Sequence, residues 1–192
     1  MRTMTEYFFD QHYHNIRYGQ ETLNLKEFES CTFTNCNFSD CNLIGVTFID
    51  CQFNHCVFNT AKINHTAFRT TYFNNCQIKE VNFAMSDKLI FEIHFDHCSL
   101  DFSKFYALKL KGITFNNSSL IAVDFMAADL TGAQFYNCDL YRAEFEKAIA
   151  NKVDFSTSRN YTIDPTKTKL KKAQFALEGV KGLLYKHEII VK

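Results

Sequence analysis

From Phe28 onward every fifth residue is large and apolar: Phe28, Phe33, Phe38, Leu43, Phe48, Phe53, Phe58, Ile63, Phe68, Phe73, Ile78 and Phe83. A period of five fits neither the 3.6-residue turn of a helix nor the two-residue alternation of a strand. The chain must instead repeat one short unit, each copy burying its apolar residue by stacking on its neighbours. A second series runs Phe95, Leu100, Phe105, Leu110, Phe115, Leu120, Phe125, Leu130, Phe135, Leu140, Phe145, Ala150 and Phe155. Phe83 to Phe95 takes twelve steps where two units would take ten. Two extra residues are therefore expected within 84–89, with Ile90 as the intervening centre.

Composition agrees with a packed repeat. Of 192 residues 46% are hydrophobic and 21 are Phe, whereas Pro occurs once and Gly six times, so packing residues abound and chain breakers are scarce. The first ten residues lack the charged start and apolar run of a secretory signal, and no later stretch is apolar for long enough to cross a bilayer. The expectation is a soluble, cytoplasmic protein with no membrane contact. Twenty-one basic against twenty-one acidic side chains leave no net field, so the totals predict no direct nucleic-acid binding.

Position within the unit is equally regular. Two residues before the centre stand Cys31, Cys36, Cys41, Cys51, Cys56, Cys76, Cys98 and Cys138, alternating with small or β-branched residues such as Val46, Ala61, Thr66 and Ser103. The residues flanking each centre are mostly polar. In this pattern the chain resembles the pentapeptide repeat family from about Phe28 to Phe155. The resemblance implies an all-β fold, a right-handed quadrilateral β-helix of about seven coils with terminal caps, four pentapeptides to a coil. Residues twenty apart then stack at about 4.8 Å. One column becomes Phe33, Phe53, Phe73, Phe95, Phe115, Phe135 and Phe155. An adjoining inward column becomes Cys36, Cys56, Cys76, Cys98, Ser118 and Cys138, and one corner collects Asn35, His55, Asn75, His97, Asn117 and Asn137.

Three segments follow. Residues 1–27 read as an N-terminal cap with an irregular first coil, carrying Phe8, Tyr13, Tyr18 and Leu23 in register. Residues 28–160 form the β-helix with its small bulge at 84–89, and 161–192 form a C-terminal cap. Pro165 removes a backbone donor, so the ladder is expected to stop near it; the later Ile189-Ile190-Val191 reads as strand-like. The run Leu177 to Lys181, Leu-Glu-Gly-Val-Lys, and the apolar residues after it resemble the tail of the quinolone-resistance (Qnr) branch. There a comparable segment pairs two subunits tail to tail, which makes Leu183, Leu184, Ile189 and Val191 the expected homodimer contacts. A simple terminal cap is the alternative.

Reactive constellations dissolve on this register. Stacked cysteines at about 4.8 Å exceed the Cβ separation a disulfide requires, so they read as core fillers. His55-Cys56 and His97-Cys98 are neighbours on a strand and point to opposite faces. His12 and His14 share a face but lack a third metal ligand. With no phosphate-cradling loop, zinc signature or nucleophile elbow, no catalytic residue, metal or cofactor is expected and the chain reads as non-enzymatic.

Binding remains. The first reading is a protein-binding rod without a named partner, its candidate contacts Leu89 and Phe91 beside the bulge and Ile121 with Tyr141. The alternative comes from the Qnr resemblance, which implies a rod shaped and charged like duplex DNA that occupies the DNA site of a type II topoisomerase, DNA gyrase or topoisomerase IV. A duplex about 35 Å long would carry roughly twenty negative charges. Residues 28–163 carry fourteen acidic and eleven basic side chains, a net of minus three; residues 164–192 carry three acidic and seven basic, a net of plus four. Mimicry would have to rest on one acidic face, with Asp96, Asp101, Asp139 and Asp154 as its members. Many Qnr proteins project two loops that protection depends on. Here the first is reduced to the bulge and the second is missing, so inhibition or weak quinolone protection is the expected outcome.

Overall fold

The strands pair in parallel with segments one circuit away. In the computed structural model, which describes residues 6–20 and 23–189, Phe8 pairs with Phe28, Phe28 with Phe48 and Phe48 with Phe68 on a four-stranded first face. A seven-stranded second face runs through Tyr13, Phe33, Phe53, Phe73, Phe95, Phe115 and Phe135. Two further sides are held by single bridges, such as Asn37 to Val57 and Asn42 to Lys62. The result is a four-sided parallel β-solenoid. Its coils are tied by bonds such as Phe38 N–H to the Val57 carbonyl at 2.7 Å and Val57 N–H to the Cys36 carbonyl at 3.0 Å.

This register piles like side chains on like. Along the second face the rings stack nearly parallel, with centroids 4.8 Å apart from Phe33 to Phe53 and again from Phe53 to Phe73. Rings of adjoining faces meet edge-on, as Phe33 does Phe38 at 71° and Phe105 does Phe115 at 85°. Each ring thus has offset-stacked partners along the axis and edge partners across it, the two favourable aromatic geometries. Phe33, Phe53, Phe73, Phe95, Phe115, Phe135 and Phe155 are all buried, as are Cys36, Cys56, Cys76, Cys98 and Cys138.

The corners carry a second constraint. From Asp10 to Lys172 nearly every fifth residue has φ between about 48° and 72°, the left-handed region that Asn, Asp, His and Gly tolerate best. On the third and fourth sides the turn is closed by bonds such as Cys41 N–H to the Phe38 carbonyl. The column Asn35, His55, Asn75, His97, Asn117 and Asn137 lies on these positions. Thr60, Thr70 and Phe102 adopt the same conformation without the side chain that suits it.

Three expectations need correction. Ser86 fills the small inward slot five residues after Val81, so the register holds that far and the excursion is residues 87–90. Ile90 is exposed rather than a centre. Phe91, expected to point outward, turns inward against Phe68 and Phe83, with centroids 6.5 and 6.3 Å away, and packs half-buried against the core. The chain adds three residues before Phe91 and drops one before Ile93, which gives the net two.

Pro165 does not stop the ladder. It sits in a turn in which the Asp164 carboxylate accepts the Thr166 N–H at 2.8 Å, and pairing resumes as Ile149 to Lys169 and Asp154 to Gln174. Finally, the tail is helical, not strand-like: short helical turns at Leu177–Gly179 and Tyr185–His187 flank a helix at Lys181–Leu184. Ile189 is outside any strand, and Ile190 and Val191 lie outside the described residues.

The corner rule predicts that Thr70→Asn stabilises the protein by about 1 kcal/mol, because it relieves a β-branched residue of left-handed strain. Urea unfolding of the two proteins measures the difference; a loss of stability would refute the rule at this corner.

Candidate interaction surface

Inside the rod the potentially reactive groups are engaged with backbone. The Cys56 and Cys76 thiols each donate to the carbonyl of the residue twenty-three earlier, Phe33 at 3.4 Å and Phe53 at 3.3 Å. The Thr66 hydroxyl does the same to Leu43, and across the excursion the Ser103 hydroxyl donates to the Ile78 carbonyl twenty-five earlier, each at 2.7 Å. A hydroxyl here can also accept from the coil below, as Ser118 does from Cys98 N–H at 3.1 Å. The small inward slot therefore serves as an inter-coil bridge, which explains why Cys, Ser and Thr share it with Ala and Val. Burial pushes the Cys51 thiol up to about 12 and the Cys138 thiol up to about 11, so neither supplies a thiolate near neutrality. All eight cysteines are free and buried. His97 faces Asp96, its Nδ1 at 3.0 Å from the carboxylate, rather than Cys98. Among the described residues no cluster of three or more His, Cys, Asp or Glu could hold a metal.

Outside, the acidic residues are mostly structural. Asp124, Asp129, Asp139 and Asp154 each accept the backbone N–H two residues on, from Met126, Thr131, Tyr141 and Ser156. These are Asx turns, in which a carboxylate or amide mimics a backbone acceptor at a tight bend. Asp139 also accepts from Asn160 and faces Arg159. Partial burial works against its charge, but these donors win and hold its carboxyl below the usual range. Asp101 is buried, accepting from Ser119 and the Ile121 N–H and lying 3.6 Å from Lys79. Asp96 is taken by His97 and Asn117. Of the four carboxylates proposed from the sequence, Asp101 lies buried beside Lys79 and Asp139 faces Arg159, so these two negative charges are offset at close range.

The apolar exterior is more selective. Leu89 is 81% exposed on the excursion. Ile121 and Tyr141 lie on successive coils, and a residue absent from the sequence expectations joins them. Phe102 is 56% exposed at a corner with φ 62°, and its N–H donates to the Ile121 carbonyl of the next coil. Tyr106, one bend further, is also exposed. The signal for Phe102 was a bulky aromatic in a column that otherwise holds small, polar or charged residues.

Beyond Tyr141 this strip opens into a cleft of about 1040 Å³ between the final coils and the cap, lined by Arg142, Arg159, Tyr161, Lys181 and Tyr185 among others. The cap seats on Tyr161 through two glycines. A Cβ at Gly179 would meet the Tyr161 hydroxyl, and one at Gly182 would meet the Tyr161 carbonyl. Of the expected dimer contacts, Leu183 packs on the rod's own core, Leu184 is half-buried and Ile189 is exposed; Val191 lies outside the described residues.

Residues 46–125 match the family description "Pentapeptide repeat region", and residues 27–59 and 118–156 match "Pentapeptide repeats (8 copies)". The chain belongs to the pentapeptide repeat family. Two trypsin-treated variants of QnrB1, described as a plasmid-mediated fluoroquinolone resistance protein, superpose with TM-scores of 0.63 and 0.62 at 16% identity. The matches cover 97% and 96% of this chain and 100% and 99% of those chains. HetL, a pentapeptide repeat protein involved in heterocyst differentiation regulation in the cyanobacterium Nostoc sp. strain PCC 7120, is 17% identical with a TM-score of 0.46 over 90% of this chain and 89% of its own. No curated protein matches the sequence. At such identities the likeness is one of fold.

The thiol geometry predicts that none of the eight cysteines of the folded protein reacts with iodoacetamide at pH 8 within an hour, and that all eight react in 6 M guanidinium. Mass spectrometry counts the adducts; one fast-reacting thiol in the native protein would contradict the bridging arrangement.

Proposed function

We propose that this pentapeptide repeat protein is a non-enzymatic rod that binds a protein partner through the corner carrying Phe102, Ile121 and Tyr141, with Tyr106 one bend further, and the cleft beyond it. One observation carries this reading: Phe102 is a large aromatic held exposed in a left-handed conformation. Folding favours neither the exposure nor the strain, and strain of this kind concentrates at binding sites. Adjacent exposed aromatics supply rigid contact area at small entropic cost, which is how protein interfaces are anchored. In this reading the protein works in the reducing cytoplasm, where its eight thiols stay free.

A second reading is favoured by the fold shared with QnrB1 along almost the whole chain: binding to DNA gyrase or topoisomerase IV at the DNA site. Shape supports it. Charge does not, because residues 28–163 carry a net of only minus three, Asp101, Asp129 and Asp139 are paired with Lys79, Lys111 and Arg159, and the C-terminal end of the first face is rich in lysine. Tail-to-tail pairing would draw on the exposed Leu177, Tyr185 and Ile189, since Leu183 is committed to the cap.

Affinity capture from the native cell, comparing the wild type with Phe102→Ser/Tyr141→Ser, tests the first reading. The double variant is expected to lose its partner by roughly thirtyfold or more, the effect of removing an interface anchor; an unchanged capture profile refutes it. In a gyrase supercoiling assay with and without a quinolone, no effect at micromolar protein removes the second reading.

A further inference from the structure

The first face carries opposite charge on its two halves. Toward the N-terminus its outward side chains include Glu27, Glu29, Asp50 and Glu92; toward the C-terminus they include Lys111, Lys152, Lys169 and Lys171. The pairings place them in three columns. Glu27, Thr47 and Ala67 stack in one, which continues through Lys109, Asp129, Ile149 and Lys169. Glu29, Ile49 and Arg69 stack in the next. Glu92 lies one coil beyond Arg69, its N–H on the Phe68 carbonyl, and Lys111 and Lys171 continue that column. Asp50 and Lys152 lie in the corner column, both with positive φ. Among the described residues Glu27, Asp50, Lys152, Lys169 and Lys171 have no ionic partner.

We infer that this face binds a second copy of the chain, side by side and antiparallel. A two-fold axis lying in the interface across the rod keeps each residue in its own column and reverses the order of coils. Placed between the coil of Glu92 and the coil of Lys111, it sets Glu27 opposite the partner's Lys169 position and Glu29 opposite that of Lys171. The same operation brings Asp50 to Lys152 and Glu92 to Lys111. All four matches fall in one register and recur by symmetry, as an isologous contact requires. Neighbouring positions bring Thr47 against Ile149 and Ile49 against Asn151, with no like charges facing each other within a column.

A polyanion such as a nucleic acid would use the lysines alone and be repelled by the acidic half. A second copy uses both. The strip spans about 34 Å of rod, one strand wide, less than the roughly 800 Å² per partner of a standard interface. The dimer is therefore weak and governed by charge, with an affinity that falls as salt screens it.

Sedimentation equilibrium of the full chain tests this. The wild type is expected to dimerise at micromolar concentration in 50 mM NaCl, with a Kd at least tenfold weaker in 500 mM. Lys169→Glu/Lys171→Glu and Glu27→Lys/Glu29→Lys should each be monomeric alone, and an equimolar mixture should restore the dimer, because all exchanged pairs become complementary. If either variant fails to fold by circular dichroism, Asp50→Lys and Lys152→Glu provide the same exchange. A wild type that stays monomeric at 100 µM in low salt overturns the inference, whether or not it binds a DNA duplex. So does a dimer indifferent to salt and to both reversals, which would be the tail-to-tail form, or a mixture that fails to reassociate.

Discussion

Inter-coil hydrogen bonding at a register of twenty is the constraint on which the rest depends. Once Phe28 pairs with Phe48 and Phe33 with Phe53, every residue is stacked on the residue one circuit away, and each column must hold side chains that tolerate their own kind at about 5 Å. Phenylalanine satisfies this by stacking. Asparagine does so by relaying amides, as Asn74 does to Asn54 and Asn137 to Asn117. Cysteine, serine and threonine do so by bridging backbone groups of the coil below. Like charges in register repel, and two columns of the first face interrupt lysine with Asp129, Thr131 or Ile149, although Asp124 pairs with Glu144 and Lys152 and Lys172 share a corner column.

The same constraint explains why chemistry is scarce on this rod. Four corners per coil require left-handed residues, and several centres are flanked by Asx turns, so many polar side chains have an architectural task. Asp139 and Asp154 look like members of an acidic surface in a residue count, yet each completes a bend, as Asp124 and Asp129 also do. Function has to reside in departures from the rule: an aromatic at a corner that suits asparagine, an excursion at 87–90, and a cap that leaves a cleft. Phe102, Tyr106 and Tyr141 stand out because the architecture does not need them.

Much of this was legible in the primary structure. The five-residue period, the centres, the small slot, the column of aromatic rings and the burial of the cysteines all follow from spacing, because each depends on one parallel register. The departures were not. Whether Ile90 or Phe91 would turn inward depends on which side chain can fill the space beside Phe68 and Phe83 once the chain leaves register, a matter of three-dimensional fit. Pro165 looked like an end to pairing, but Asp164 forms a turn around it and the ladder resumes on the neighbouring faces. The apolar tail looked like a strand, but Gly179 and Gly182 permit a close approach to Tyr161 that only a helical path makes.

By itself, then, the sequence determined a solenoid of stacked pentapeptides with an unreactive interior, because a strict period leaves one way to bury the sixteen phenylalanines at its centres. Tertiary structure decided what the exterior means. It tied carboxylates to turns, placed Phe102 beside Ile121 and Tyr141, and gathered opposite charges onto the two halves of one face. Apart from the turns, those relations join residues about one circuit or more apart in the chain. They exist only because the solenoid winding brings successive coils within a few ångströms of one another.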